Sequence, residues 1–163
     1  MEFSIGKRLA AEYVGTFFLV AVVIGSGIMG DKLSGGSVGL ALLANTIATG
    51  AILVVIILIF GNISGAHFNP AVTLVFWLRK EIAGGDTAAY MVLQIAGGIT
   101  GAIVAHIMFQ EPLIQWSSTQ RTGISQWIAE VVATFGLLAT ILGCLKTRPS
   151  AIPYAVGLFI SAG

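Results

Sequence analysis

Apolar residues run almost unbroken through five stretches of this chain, at 9–29, 38–60, 87–109, 127–145 and from about Ile152 onward. Each of the first four is about the twenty residues a helix needs to cross ~30 Å of hydrocarbon. The pattern therefore predicts four spans and the start of a fifth, which the given sequence cuts at Gly163, about halfway across a bilayer. Polar residues interrupt the runs at few places. The most informative is Ser64-Gly-Ala-His67-Phe-Asn69-Pro70-Ala71-Val-Thr73, at the end of the second run. Asn is a strong helix N-cap and Pro suits the first helical position, so Asn69-Pro70-Ala71 reads as a helix start. The segment 38–79 is too long for one span and too short for two with a turn between. One span plus a half-span fits, because the roughly ten residues of 69–78, at ~1.5 Å each, reach about halfway across the hydrocarbon. The expected element is re-entrant: an irregular stretch over 61–68, then a short helix returning to the side it left.

Composition fixes the environment. Of 163 residues 56% are hydrophobic and 9% charged, and the mean hydropathy is +0.96, outside the range of soluble domains. A net charge of +1 leaves no basic patch for nucleic acid. The opening Met1–Arg8 segment is short and basic, but the apolar run after it exceeds a signal-peptide core and lacks a cleavage site, so it reads as the first span. Cys144, the one cysteine, makes no intrachain disulfide and reads as small-residue packing; it leaves the redox compartment open.

Charge parity tests the re-entrant element. With Lys7 and Arg8 cytoplasmic, a dip returns Arg79 and Lys80 to the cytoplasm, and two further crossings bring Lys146 and Arg148 there. Six of the eight basic residues are then inside, and Lys32 and Arg121 outside. A full crossing at 69–78 would erase that bias. The chain also repeats: Ala11-Glu12-Tyr-Val-Gly15-Thr16-Phe17 returns 118 positions later as Ala129-Glu130-Val-Val-Ala133-Thr134-Phe135, and Leu19, Ala21 and Gly25 recur at the same shift as Leu137, Ala139 and Gly143. Three crossings separate the copies, so they insert with opposite orientation, and inverted repeats of this kind place a site at the membrane midplane. The units are 1–110, with three spans and the half-helix, and 111–163, a loop and the incomplete start of the second repeat.

Gly65-x-His67-x-Asn69-Pro70-Ala71-Val72-Thr73, preceded by Ala11-Glu12-x-x-Gly15-Thr16 and followed by Tyr90-x-x-x-Gln94-x-x-Gly97, resembles the aquaporin (major intrinsic protein) family. The resemblance covers the whole chain. It implies an all-α membrane protein, an aquaporin-like right-handed bundle of inverted repeats with re-entrant half-helices, in which six spans and two half-helices, each opening on Asn-Pro-Ala, enclose one pore per subunit of a homotetramer. Only the first Asn-Pro-Ala is present, so the pore is incomplete within these 163 residues. Physical chemistry supports the implied conduction. A helix N-terminus at mid-membrane carries free N–H groups and about half a positive charge, which disfavours cations. The Asn69 amide adds a donor, and the carbonyls of Gly65, Ala66 and His67 would serve as acceptors, tolerable at membrane depth only where they line water or are buried in protein. A neutral hydrogen-bonding solute can exchange water partners for that ladder, whereas an ion cannot recover its hydration.

Several residues carry alternatives. Glu12 and Glu130 cost a few kcal/mol each if unpaired within a span; they are either proton-coupling acids of a transporter or acceptors bracing the irregular loops, and the resemblance favours bracing. His67 is a ligand, a proton relay, or a loop-ordering and pore-lining group, and one imidazole with no second His, Cys or Asp nearby makes a poor metal site. No cofactor or metal is expected. Gln94 is expected to hydrogen-bond the re-entrant loop, as its place in the family pattern suggests. Gly97, Gly98 and Gly101 suggest close helix crossing, and His106 has no assigned role. In the family a constriction on the extracellular side of the midplane takes one residue from the second span, one from the fifth and two from the second loop, including an arginine. Counting back twenty from Asn69 gives Thr49, where strict water channels carry Phe and glycerol channels Trp. A threonine predicts a wider and more polar opening, for water and small neutral solutes such as glycerol, urea or undissociated metalloid acids. The fifth-span contributor falls at or just past Gly163. A secondary transporter built on inverted repeats is the alternative function, and no Ser/His/Asp constellation points to an enzyme. The expected setting is the inner membrane, multi-pass with the N-terminus cytoplasmic, and the short loops suit a prokaryote.

Overall fold

The computed structural model describes residues 3–115, 120 and 122–162. Arg121 and Gly163, which entered the charge and filter arguments, lie outside them. Six α-helices follow in order: α1 Ile5–Leu33, α2 Val38–Ser64, α3 Pro70–Leu78, α4 Gly84–Met108, α5 Ile124–Thr147 and, after a 3-10 turn at Pro149–Ala151, α6 Ile152–Ala162. Four of them, α1, α2, α4 and α5, are long and apolar enough to cross a membrane. α3 is the expected half-helix, nine residues long.

The irregular stretch is shorter than its sequence suggests. α2 runs through Gly61 to Ser64, so 61–64 is helical and only Gly65–Asn69 is not. An apolar medium offers the backbone no water, so the helix persists until other partners can take over its orphan groups. That happens at Gly65, which caps α2 in the left-handed conformation at φ 89°. Ala66 and Phe68 also hold positive φ, 51° and 47°. Such angles are strained for residues with a Cβ and persist only where the surroundings fix them.

Close crossings hold the bundle. A Cβ at Gly97 would strike the Tyr13 carbonyl of α1, and one at Gly101 the Phe17 carbonyl. Both pairs are four residues apart, so two turns of α4 lie directly against two turns of α1. α2 joins α1 through Asn45, whose Nδ2 donates to the Val23 carbonyl at 2.7 Å and to Ser26 Oγ at 3.0 Å. On its other flank α2 meets α6 where Gly50 and Gly157 press backbone to backbone, and Ser161 Oγ donates to the Thr46 carbonyl at 3.2 Å. α5 packs on α6 and has no buried residue.

Two ion pairs mark the ends. Arg8 meets Asp86 at 3.1 Å, and Lys32 meets Glu111 at 2.8 Å. The Lys32 hydrogen bond and charge hold the Glu111 carboxyl below the usual range. The first pair joins the starts of α1 and α4, and the second their ends. α1 and α4 are therefore parallel, which requires α3 to return to the end where α2 left off.

Candidate pore site

Asn69 caps α3 from an extended conformation, φ −152° and ψ 124°. Its Oδ1 accepts from the Ala71 N–H at 2.8 Å, and its carbonyl accepts from the Thr73 N–H at 3.0 Å. Pro70 occupies the first helical position, where its missing N–H costs nothing. With Oδ1 turned back to the helix, the Nδ2 hydrogens of Asn69 have no acceptor among the described residues. Asn69 borders a cavity of about 550 Å³, walled by Leu19 of α1, Leu53 and Ile57 of α2, Leu137 and Ile141 of α5 and Val156 of α6, with Gly65, Ala66, His67 and Phe68 on the remaining side. The wall is mostly apolar, and the re-entrant stretch brings His67 and Asn69 to it. Asn62 and Ser150 add polar side chains to the lining.

Glu12 anchors that stretch. It is fully buried. Its Oε1 accepts from Ser64 Oγ at 2.6 Å and the His67 N–H at 3.0 Å, and its Oε2 from the Phe68 N–H and Gln94 Nε2, both at 2.8 Å. Four donors on two oxygens fill the acceptor capacity of a carboxylate. Because those oxygens only accept, Gln94 must present Nε2, whose second hydrogen reaches Thr73 Oγ1 at 2.9 Å. Gln94 Oε1 is buried without a partner among the described residues. Thr73 Oγ1 also meets His67 Nδ1 at 3.1 Å, and the His67 ring stacks on Phe76 at 4.5 Å. His67 is thus both held in a network and part of the cavity wall.

Phe68 and Gly15 fit as a pair: the Phe68 ring occupies the space a Cβ at Gly15 would need, and Phe68 is 4% exposed. From the end where α1 and α4 begin, Arg8 Nε donates to Tyr90 Oη at 2.8 Å and Tyr90 Oη donates to the Ser64 carbonyl at 2.9 Å. Arg8, Ser64, Phe68, Thr73 and Tyr90 hold this network without a bracing role predictable from the sequence. Ser64, Thr73 and Tyr90 lie inside the quoted motifs; for Arg8 only its position before the first span was a signal.

The remaining residues sit apart from this network. Glu130 is exposed on α5 and meets no loop among the described residues. Thr49 is half-buried, with its Oγ1 donating to the Asn45 carbonyl at 2.8 Å. At 3.6 residues per turn, Thr49 stands roughly 40° round α2 from Asn45 and Leu53 about 80°. Asn45 faces α1, while Thr46 and Gly50 meet α6. Thr49 therefore lies on the sector between α1 and α6, one turn beyond Leu53 of the cavity wall.

The whole chain, residues 1–163, matches the family model described as Major intrinsic protein. The chain belongs to that family. It is 53% identical over 161 residues to Aquaglyceroporin AqpS of Rhizobium meliloti, covering 99% of this chain and 69% of that protein. It is 32% identical to Aquaporin AqpM of Methanothermobacter thermautotrophicus (86% and 65% covered) and 29% identical to Aquaporin Z of Photorhabdus laumondii (93% and 72% covered). The chain thus spans about two thirds of the length of these relatives. As a major intrinsic protein it is a multi-pass membrane protein with an aquaporin-type helical bundle, in accord with its four span-length helices.

Proposed function

We propose that the full-length protein is a passive channel for water and small neutral solutes that excludes ions and protons, with the N-terminus cytoplasmic. The observation that carries the reading is the N-terminus of α3, which opens with the Asn69 amide onto a cavity walled by four other helices. Such an end has N–H groups to offer and about half a positive charge. Asn69 Nδ2 and the Gly65, Ala66 and His67 carbonyls serve as the polar track, and Pro70 and Ala71 hold the helix start. Water and small alcohols can pair with that track; a cation meets a positive helix end without its hydration shell.

The relatives named as aquaglyceroporin and aquaporins support the same reading. Thr49, on the inward sector of α2, is proposed as the constriction residue, wide and polar enough for glycerol, urea or undissociated metalloid acids. Glu12, Gln94 and, in the second repeat, Glu130 are assigned to bracing. For Glu12 the support is direct: a carboxylate engaged by four donors and absent from the cavity wall is poorly placed to carry protons. The repeats are taken as 1–110 and 111–163, the assembly as a homotetramer in lipid, and the protein as a conduit without a catalytic step.

Reconstitution of the full-length protein tests this. Osmotic swelling of proteoliposomes should be non-saturating, indifferent to ion gradients and extended to glycerol; saturation or gradient dependence would favour a coupled transporter. Thr49→Phe should lower glycerol flux while water flux persists, and unchanged glycerol flux would remove Thr49 from the constriction.

A further inference from the structure

We propose that Thr49 meets a passing solute as a hydrogen-bond acceptor only, with Asn45 as its positioning residue, so that the opening selects neutral solutes rich in O–H and N–H donors over acceptor-only solutes of similar size. The proposal rests on the channel reading above and names the chemistry of its constriction. A hydroxyl has one proton and two lone pairs. The Thr49 proton goes to the Asn45 carbonyl at 2.8 Å, which leaves the lone pairs for whatever passes. A threonine that bonds its own helix in this way has no donor left to offer.

The carbonyl that takes the proton is itself fixed. Asn45 Nδ2 donates to the Val23 carbonyl at 2.7 Å and to Ser26 Oγ at 3.0 Å, and Ser26 Oγ in turn donates to the Val22 carbonyl at 2.6 Å. Asn45 is thereby tied to α1 by two bonds, while Gly50 and the Thr46 carbonyl tie the next sector of α2 to α6. Rotation of α2 at this level would break one set or the other. Thr49, between the two contacts, keeps its orientation toward the interior. Asn69 Nδ2 then supplies a donor deeper in the pore and Thr49 an acceptor before it. Polyhydroxylated compounds and urea-like amides can use both, whereas a solute with acceptors alone can use only the first.

Stopped-flow light scattering on proteoliposomes of the full-length protein tests the proposal, with water, glycerol, urea and dimethyl sulfoxide as the acceptor-only probe, each corrected for empty liposomes. Thr49→Val keeps the shape and removes the hydroxyl. Its glycerol and urea permeabilities should fall at least fivefold relative to that of dimethyl sulfoxide, and Thr49→Ser should restore both solutes. Thr49→Ala provides the same comparison should Thr49→Val fail to insert. Asn45→Leu should lower the glycerol-to-dimethyl sulfoxide ratio in the same direction, a change that general loosening of the bundle would not produce. Unchanged glycerol flux in Thr49→Val, or an equal loss of dimethyl sulfoxide, overturns the acceptor role; an unchanged ratio in Asn45→Leu overturns the positioning role. If the unsubstituted protein passes neither water nor glycerol, the channel reading itself fails, and that is read before any variant is compared.

Discussion

Four donors reach Glu12 from three separate parts of the chain: Ser64 at the end of α2, the His67 and Phe68 amides of the re-entrant stretch, and Gln94 of α4. A single acceptor with that many partners has no neutral substitute. Glu12→Gln replaces one oxygen with an NH2 group that must face two of these donors, and each buried donor left without an acceptor costs about 1–3 kcal/mol. Because Ala66 and Phe68 keep positive φ only while the loop is held, the loss should reach the pore. Glu12→Gln is expected to lower the thermal midpoint in detergent and to reduce water flux by more than half. A variant that matches the parent in both melting and stopped-flow assays would show that the loop is ordered by other contacts. The sequence already marked Glu12 as costly unless satisfied. Its partners were not legible, because they lie 52 to 82 positions away and only the fold brings them together.

Helices in lipid gain no hydrophobic drive toward one another, so their packing depends on close approach and a few polar contacts. α4 shows this in a form that separates neighbouring glycines. At Gly97 and Gly101 a Cβ would collide with backbone carbonyls of α1, whereas at Gly98 the nearest atom is Val20 Cγ2 at 3.6 Å, an ordinary contact. Gly97→Val should therefore lower membrane yield and thermal midpoint markedly, and Gly98→Ala should leave both near the parent values. Equal effects of the two, measured by fluorescence-monitored size-exclusion after heating, would show that α1 and α4 do not approach along this line. Glycine spacing made the crossing readable in sequence, but not which glycine carries it. The half-helix α3 was equally legible, from its cap, its proline and its length. The end of α2 was not: Gly61 looks like a helix stop by the rules for water, and in hydrocarbon the backbone has no alternative partner before Gly65.

At the scale of the molecule, the two terminal ion pairs and the basic residues make one statement. Arg8 with Asp86 places the starts of α1 and α4 at one end, and Lys32 with Glu111 places their ends at the other. Parallel α1 and α4 require an odd number of full crossings between them, and with α2 supplying one, α3 can only be re-entrant. Lys7, Arg8, Arg79, Lys80, Lys146 and Arg148 then share a side, which the proposed orientation, by the positive-inside rule, puts in the cytoplasm. The same charges in the sequence had favoured this arrangement by counting alone; the ion pairs add a geometric reason that does not depend on the count. Accessibility labelling separates the two possibilities for α3. In a Cys144→Ser background, Gly85→Cys should react with a membrane-impermeant maleimide only after cells are opened, and Gly36→Cys in intact cells. Both sites lie in open space, with nothing within 4 Å of an added Cβ, so the substitutions should not disturb packing, although Gly36 has φ 86° and a side chain there is locally strained. If Gly85→Cys instead labels in intact cells, α3 is a full crossing, α4 is antiparallel to α1, and the helix end at Asn69 cannot lie at the centre of a pore.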